Sequence, residues 1–147
     1  MCTVKELLRN KESIIWSIHP KATVINALQL MAQKDIGALP VLDEMGLVGI
    51  ISERDFVHMI AETHECKMHA TIDNYMTKEV ITTIPDATVS ECMLIMTTHH
   101  IRHLPIVENN QLIGLISIGD VVRQVVSEKD TTIQQMENYI SGRGYGQ

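Results

Sequence analysis

Two serine–aspartate pairs with the same spacing are the residues of this chain best suited to hold something polar: Ser52-Glu-Arg-Asp55 and Ser117-Ile-Gly-Asp120. A hydroxyl followed three residues later by a carboxylate can do two things. At a helix start it caps, satisfying orphan N–H groups and complementing the helix dipole. In a cleft, the carboxylate can accept hydrogen bonds from both vicinal hydroxyls of a ribose, while the serine and the helix N-terminus face ribose or phosphate. The two roles are compatible. Gly49 and Gly114 stand just upstream, either as hairpin or bulge residues or as points where a flat ligand approaches the backbone. Arg102-His103 and Arg54 are donors of the right type for phosphate, although such side chains are equally at home in solvent.

Both motifs occupy the same place in a repeated unit. Displacing the sequence by 65 positions aligns residues 20–57 with 85–122 without a gap. Identities include Pro20/Pro85, Thr23/Thr88, Met31/Met96, Leu39/Leu104, Pro40/Pro105, Gly49/Gly114, Ser52/Ser117 and Asp55/Asp120. The lead-ins Thr3-Val4 and Thr71-Ile72 also match, at a displacement of 68. Each copy reads strand, helix, strand, strand, helix (β-α-β-β-α). Residues 14–18 and 80–84 are apolar, β-branched runs ended by prolines. Val24, Ala27, Leu28 and Met31 recur at helical spacing, as do Val89, Cys92, Met93 and Met96. Thr88 and Glu91 form a capping-box start. Hairpins turn at residues 43–46 and 108–111, and closing helices begin near Glu53 and Ile118. A small sheet with helices on one face leaves its other side bare, so two copies related by a pseudo-two-fold axis should pack sheet to sheet. The expected class is α/β (α+β). The expected divisions are residues 8–63 and 74–130 for the two copies, 64–73 for a linker, and 131–147 for a terminal helix and loose tail. Within the last, Ile133, Met136 and Ile140 share a side and residues 141–147 are Gly-rich.

Composition narrows the function classes. Aromatics are only 3% and the net charge is −6, which opposes both base stacking and binding to a nucleic-acid backbone. No apolar run approaches the ~18 residues that span a bilayer, and the amino-terminal stretch lacks a signal core. A cytoplasmic protein is expected. Cys2, Cys66 and Cys92 make no disulfide framework. No nucleophile elbow, Walker loop or suggestive carboxylate pair is present, so no enzymatic activity is expected. His64-Glu-Cys66-Lys-Met-His69 contains metal-capable side chains, but at a spacing unlike standard zinc patterns. A metal- or redox-responsive module using these residues is the alternative reading.

With these residues in view, the repeat resembles the cystathionine β-synthase-type (CBS) domain, which occurs in tandem as the Bateman module. The resemblance covers roughly residues 14–127. It rests on Thr-Val at the first helix, Leu39-Pro40-Val41 or Leu104-Pro105-Ile106 before the hairpin, and Gly49-Ile-Ile-Ser-Glu-Arg-Asp55 or Gly114-Leu-Ile-Ser-Ile-Gly-Asp120 at the strand exit. The resemblance implies a stand-alone regulatory module that binds an adenosine derivative: AMP, ADP, ATP, NAD(H) or S-adenosylmethionine. It implies that Asp55 and Asp120 take ribose beside Ser52 and Ser117. Arg102, His103 and Arg54 would take phosphate, with Arg102 and His103 reaching the Ser52–Asp55 cleft. The other cleft would face the uncharged Gly37 and Ala38. Backbone groups of Ile18, His19, Thr83 and Ile84, before Pro20 and Pro85, would read the base, with Val41 and Ile106 flanking it. It also implies a homodimer through the closing helices, near Met59, Ile60, Val125 and Val126, and an effector protein of unknown identity.

Overall fold

The computed structural model describes residues 2–11 and 14–140. Element order is α1 (Val4–Asn10), α2 (Val24–Lys34), β1 (Ala38–Asp43), β2 (Gly46–Ser52), α3 (Glu53–Thr63), a 3-10 turn (Ile72–Asn74), α4 (Val89–His99), β3 (His103–Glu108), β4 (Gln111–Ser117) and α5 (Ile118–Ile140). The fold mixes helix and strand, with two small antiparallel sheets, β1–β2 and β3–β4. The chain divides into two compact units. Residues 2–11, 85–104 and 116–140 form the α4 unit, and residues 14–84 with 105–115 form the α2 unit.

Local chemistry explains most boundaries. Thr3, Thr23 and Thr88 each accept from the backbone N–H three residues on, and Glu6 and Glu91 close capping boxes at α1 and α4. Helices α2 and α4 end at Asp35 and His100, equivalent residues that both adopt the left-handed conformation (φ 52° and 55°). The second hairpin turns at Asn109 and Asn110, both with positive φ, which asparagine tolerates better than most residues.

The two units bury equivalent residues. In the α2 unit Val24, Ala27, Met31, Leu39, Ile51, Phe56 and Ile72 are buried. Their counterparts Val89, Cys92, Met96, Leu104, Ile116, Val121 and Val4 are buried in the α4 unit. The lead-ins are exchanged. Thr71, in the second copy's lead-in, bridges Thr23 at the cap of α2, while Thr3, in the first copy's lead-in, bridges Thr88 at the cap of α4. Three main-chain bonds fix the second exchange: Val4 N to Ala87 O (2.8 Å), Lys5 N to Pro85 O (3.0 Å) and Val89 N to Cys2 O (3.0 Å).

Three expectations change. Residues 14–18 and 80–84 are not full strands. Each contributes one parallel bridge, Ile18 to Val41 and Thr83 to Ile106, and Ile14 and Ile84 are left 71% and 58% exposed. A β-branched run extends the chain, but only a neighbour with free main-chain groups makes it a strand. The terminal helix is not separate: α5 runs unbroken to Ile140, because no glycine or proline interrupts it after Gly119. Residues 141–147 lie outside the described part of the chain. Met59, expected at a dimer interface, is 2% exposed and packs into its own unit's core, while Ile60 on the same helix is 46% exposed.

Candidate functional site

In the α2 unit, β2 delivers Ser52 as the N-cap of α3. Its N–H donates to Asp55 Oδ2 at 2.8 Å and its hydroxyl to the same oxygen at 3.2 Å. Asp55 Oδ1 points the other way and accepts the Thr77 hydroxyl at 3.3 Å. The capping role is thus real, and it consumes one carboxylate oxygen more firmly than the other. Glu53 N donates to Gly37 O at 3.1 Å, tying the start of α3 to the entry of β1.

Behind this motif three expected residues line up across the sheet. Val41 faces Gly49 in the β1–β2 register, and Ile18 bridges Val41 from the other side. Val41 and Gly49 are buried, while Ile18 is half-buried and His19 exposed. Gly49 has an internal reason to be glycine. A Cβ there would meet Met76 Sδ at 2.6 Å and Thr77 O at 3.0 Å. Thr77 and Ile50 exchange two main-chain bonds (3.0 and 2.9 Å), so that carbonyl is not free to retreat.

The backbone groups expected to read a base are already engaged at two positions. The N–H of Ile18 is given to Pro40 O (3.1 Å) and its carbonyl accepts from Leu42 N (2.9 Å). Thr83 is engaged the same way by Pro105 O (3.0 Å) and Val107 N (2.9 Å). These bonds hold the single bridges together and use both N–H groups, while each carbonyl keeps a second lone pair. His19 uses its Nδ1 to accept from Lys21 N at 3.1 Å and sets Nε2 3.4 Å from Glu44. Ile84 is exposed and adjoins Pro85, which is buried in the α4 unit. Ile106 and Gly114 are buried in the β3–β4 hairpin.

The second motif is more heavily engaged. Ser117 N donates to Asp120 Oδ2 at 2.8 Å, and Asp120 N donates back to Ser117 Oγ at 3.2 Å. Lys11 Nζ adds a bond to Oδ2 at 2.7 Å, and Arg123 reaches Oδ1 at 2.6 Å. The Asp120 side chain is only 9% exposed. Burial alone would push its carboxyl up, but the Lys11 hydrogen bond, the Ser117 N–H and the Lys11 charge outweigh that and hold it below the ordinary Asp range. Within its own unit, two cations stand on this carboxylate. Arg102 is exposed, and its carbonyl accepts from Ile118 N at 2.8 Å, so its main chain lies at the start of α5. His103 is half-buried at the start of β3, and Arg54 is exposed on α3.

Sequence reasoning missed Thr77, Met76, Lys11 and Arg123. Arg123 carried a signal, since it lies three residues after Asp120 on one helix face. Lys11 lies 109 residues from Asp120 and carried none. Among the described residues, no three His, Cys, Asp or Glu side chains come together to hold a metal. Cys66 is exposed and Cys92 buried, and burial first, then Glu91, pushes the Cys92 thiol up to about 11. Among the described residues no helix is long and apolar enough to cross a membrane.

These features, duplicated in order, match the CBS-domain family model over residues 4–62 and 72–127. The chain belongs to the CBS-domain family and carries a pair of its repeats, a regulatory module. Among curated proteins it is similar to the mitochondrial CBS domain-containing protein CBSX3 of Arabidopsis thaliana, 38% identical over 128 residues. That match covers 84% of this chain but 62% of the relative's length. Among solved structures it is similar to a CBS-domain protein from Burkholderia ambifaria (37% identity, TM-score 0.81, 85% of this chain and 94% of that one). It also resembles the CBS domain pair of protein MJ0100, solved in complex with 5-methylthioadenosine and S-adenosyl-L-methionine (25% identity, TM-score 0.76, 87% of this chain and 98% of that one).

Proposed function

We propose that this chain is a non-enzymatic sensor of an adenosine-containing nucleotide, AMP or ATP in the first place, with NAD(H) or S-adenosylmethionine as the other members of the class. The observation that carries the reading is the divided carboxylate of Asp55. Ser52 holds Oδ2 at 2.8 Å, so the group is fixed in direction, while Oδ1 has only a 3.3 Å bond from Thr77 that a ribose hydroxyl can displace. In the same unit the half-buried, aliphatic Ile18 is the type of wall that accepts a base, while Val41, which it bridges, is fully buried. The adenosine ligands of the MJ0100 pair support the same class.

In this reading Asp55 takes ribose, and Arg102, His103 and Arg54 supply donors to phosphate. Ser117 and Asp120 form the weaker site, because a ribose there competes with Lys11 and Arg123 for the carboxylate. The module works in the cytoplasm as a homodimer, its closing helices exposing Ile60 and Val126 to a second copy. A thermal-shift panel with AMP, ATP, NAD(H), S-adenosylmethionine and adenosine tests the class. A site filled at a hundredfold excess over Kd adds about 2.7 kcal/mol, a rise of several degrees. No rise with any of them at millimolar concentration would contradict the reading.

A further inference from the structure

The amino-terminal segment of the α4 unit is tied at both ends to one helix. Cys2 N donates to Glu128 Oε1 at 3.2 Å, and Lys11 Nζ donates to Asp120 Oδ2 at 2.7 Å. Asp120 and Glu128 stand about two turns apart on α5. Between the ties, Val4 and Leu7 on α1 are buried. Residues 2–11 therefore form a strap, and its last residue lands on the carboxylate that a ribose would need. The equivalent Asp55 meets a different lead-in. There a 3-10 turn (Ile72–Asn74) stands in place of α1, and the group on the carboxylate is the neutral Thr77 hydroxyl at 3.3 Å. The first lead-in is the longer one, with 17 positions from Thr3 to Pro20 against 14 from Thr71 to Pro85. It delivers an ammonium instead of a hydroxyl. Arg123 also bonds Asp120, but its side chain is 74% exposed and can turn into solvent alone. Lys11 is 36% exposed and is the C-cap of α1, its N–H on Leu8 O at 3.4 Å, so withdrawing its ammonium disturbs the strap itself.

We propose that residues 2–11 are an autoinhibitory strap: Lys11 occupies the ribose position of the Ser117–Asp120 site, and a nucleotide enters there only by displacing it. The inference rests on the nucleotide reading above and adds a regulated second site to it. A latch open in about 1–10% of molecules lowers the apparent affinity of that site about ten- to a hundredfold. Linkage is reciprocal, so a nucleotide that takes Asp120 loosens the strap by the same factor. Occupancy of the second site is thereby reported at the Lys11 end of α1.

Calorimetric titration of AMP into the full chain, unmodified and as Lys11→Met, Lys11→Gln and Lys11→Arg, tests the strap. The unmodified chain and Lys11→Arg should show one strong site. Lys11→Met should gain a second, about ten- to a hundredfold tighter than any second event in the unmodified chain. Lys11→Gln keeps a neutral hydrogen-bond donor and should show the same gain, which covers a failure of Lys11→Met to fold. Adding Asp120→Asn to either variant should remove the gained site and leave the first. In hydrogen exchange, AMP at a concentration that fills the second site of the unmodified chain should speed exchange of the Lys11 amide. Two equal sites in the unmodified chain, or a single site in every variant, would overturn the strap and leave the nucleotide reading standing. No binding to any of the chains would overturn both.

Discussion

Asp55 and Asp120 are equivalent in sequence but not in what they hold, and isosteric Asp→Asn changes should separate them. Asp120→Asn keeps an oxygen for the Ser117 N–H but removes the charge that Lys11 and Arg123 bind at 2.7 and 2.6 Å. The Lys11 bond is charge-assisted and half-buried, worth about 1.5–3 kcal/mol, and the exposed Arg123 pair adds about 0.3 kcal/mol. Asp120→Asn should therefore cost about 2–3 kcal/mol. Asp55→Asn loses part of a network with neutral donors, about 1 kcal/mol. In chemical denaturation the first variant should fall clearly below the second, and a double-mutant cycle of Lys11→Met with Asp120→Asn should return about 1–2 kcal/mol of coupling. The pH dependence has a fixed sign. A carboxyl held below its unfolded pKa contributes fully above that value, near ~4, and loses the contribution as pH falls through its folded pKa. The advantage of the unchanged protein over Asp120→Asn should thus shrink as pH is lowered below about 4. Equal destabilisation by the two Asn variants, together with zero coupling to Lys11, would refute the reasoning.

Arg102→Ala should weaken AMP and ATP binding by roughly ten- to a hundredfold while leaving adenosine binding nearly unchanged, as measured by calorimetry. Gly49→Ala forces a Cβ to within 3.0 Å of the Thr77 carbonyl and should cost about 1–3 kcal/mol in denaturant melts; an unchanged midpoint would show that the 76–77 segment yields freely. In a thiol-labelling time course near neutral pH, exposed Cys66 should react rapidly and Cys92 only on unfolding, because burial holds its thiol up to about 11. A chelator should leave the melting temperature where it is, and a large drop rescued by zinc would promote the metal-responsive alternative.

Much of the fold was legible because it is written twice. Leu39/Leu104, Ile51/Ile116 and Met31/Met96 are identical pairs that are buried in both units. The capping box at Thr88 and Glu91 was read correctly, yet Thr3 and Glu6 carry the same signal for α1 and went unread. The exchanged lead-ins were not legible, because a Thr-Val dipeptide announces a repeat without saying which copy it will bridge. The Ser-x-x-Asp motifs were visible as a pair, but their inequality was not. It comes from Lys11 and Thr77, which reach the two carboxylates from distant or linking segments. Likewise, the sequence did not show that the N–H groups of Ile18 and Thr83 are taken by single parallel bridges.

The central claim is that this CBS pair binds adenosine nucleotides through Asp55. Calorimetric titration of AMP into the unchanged protein, Asp55→Asn and Asp120→Asn tests it most directly. The account predicts binding that Asp55→Asn weakens by about tenfold or more and that Asp120→Asn, where it remains folded, largely retains. Binding that Asp55→Asn leaves intact and Asp120→Asn abolishes would contradict it.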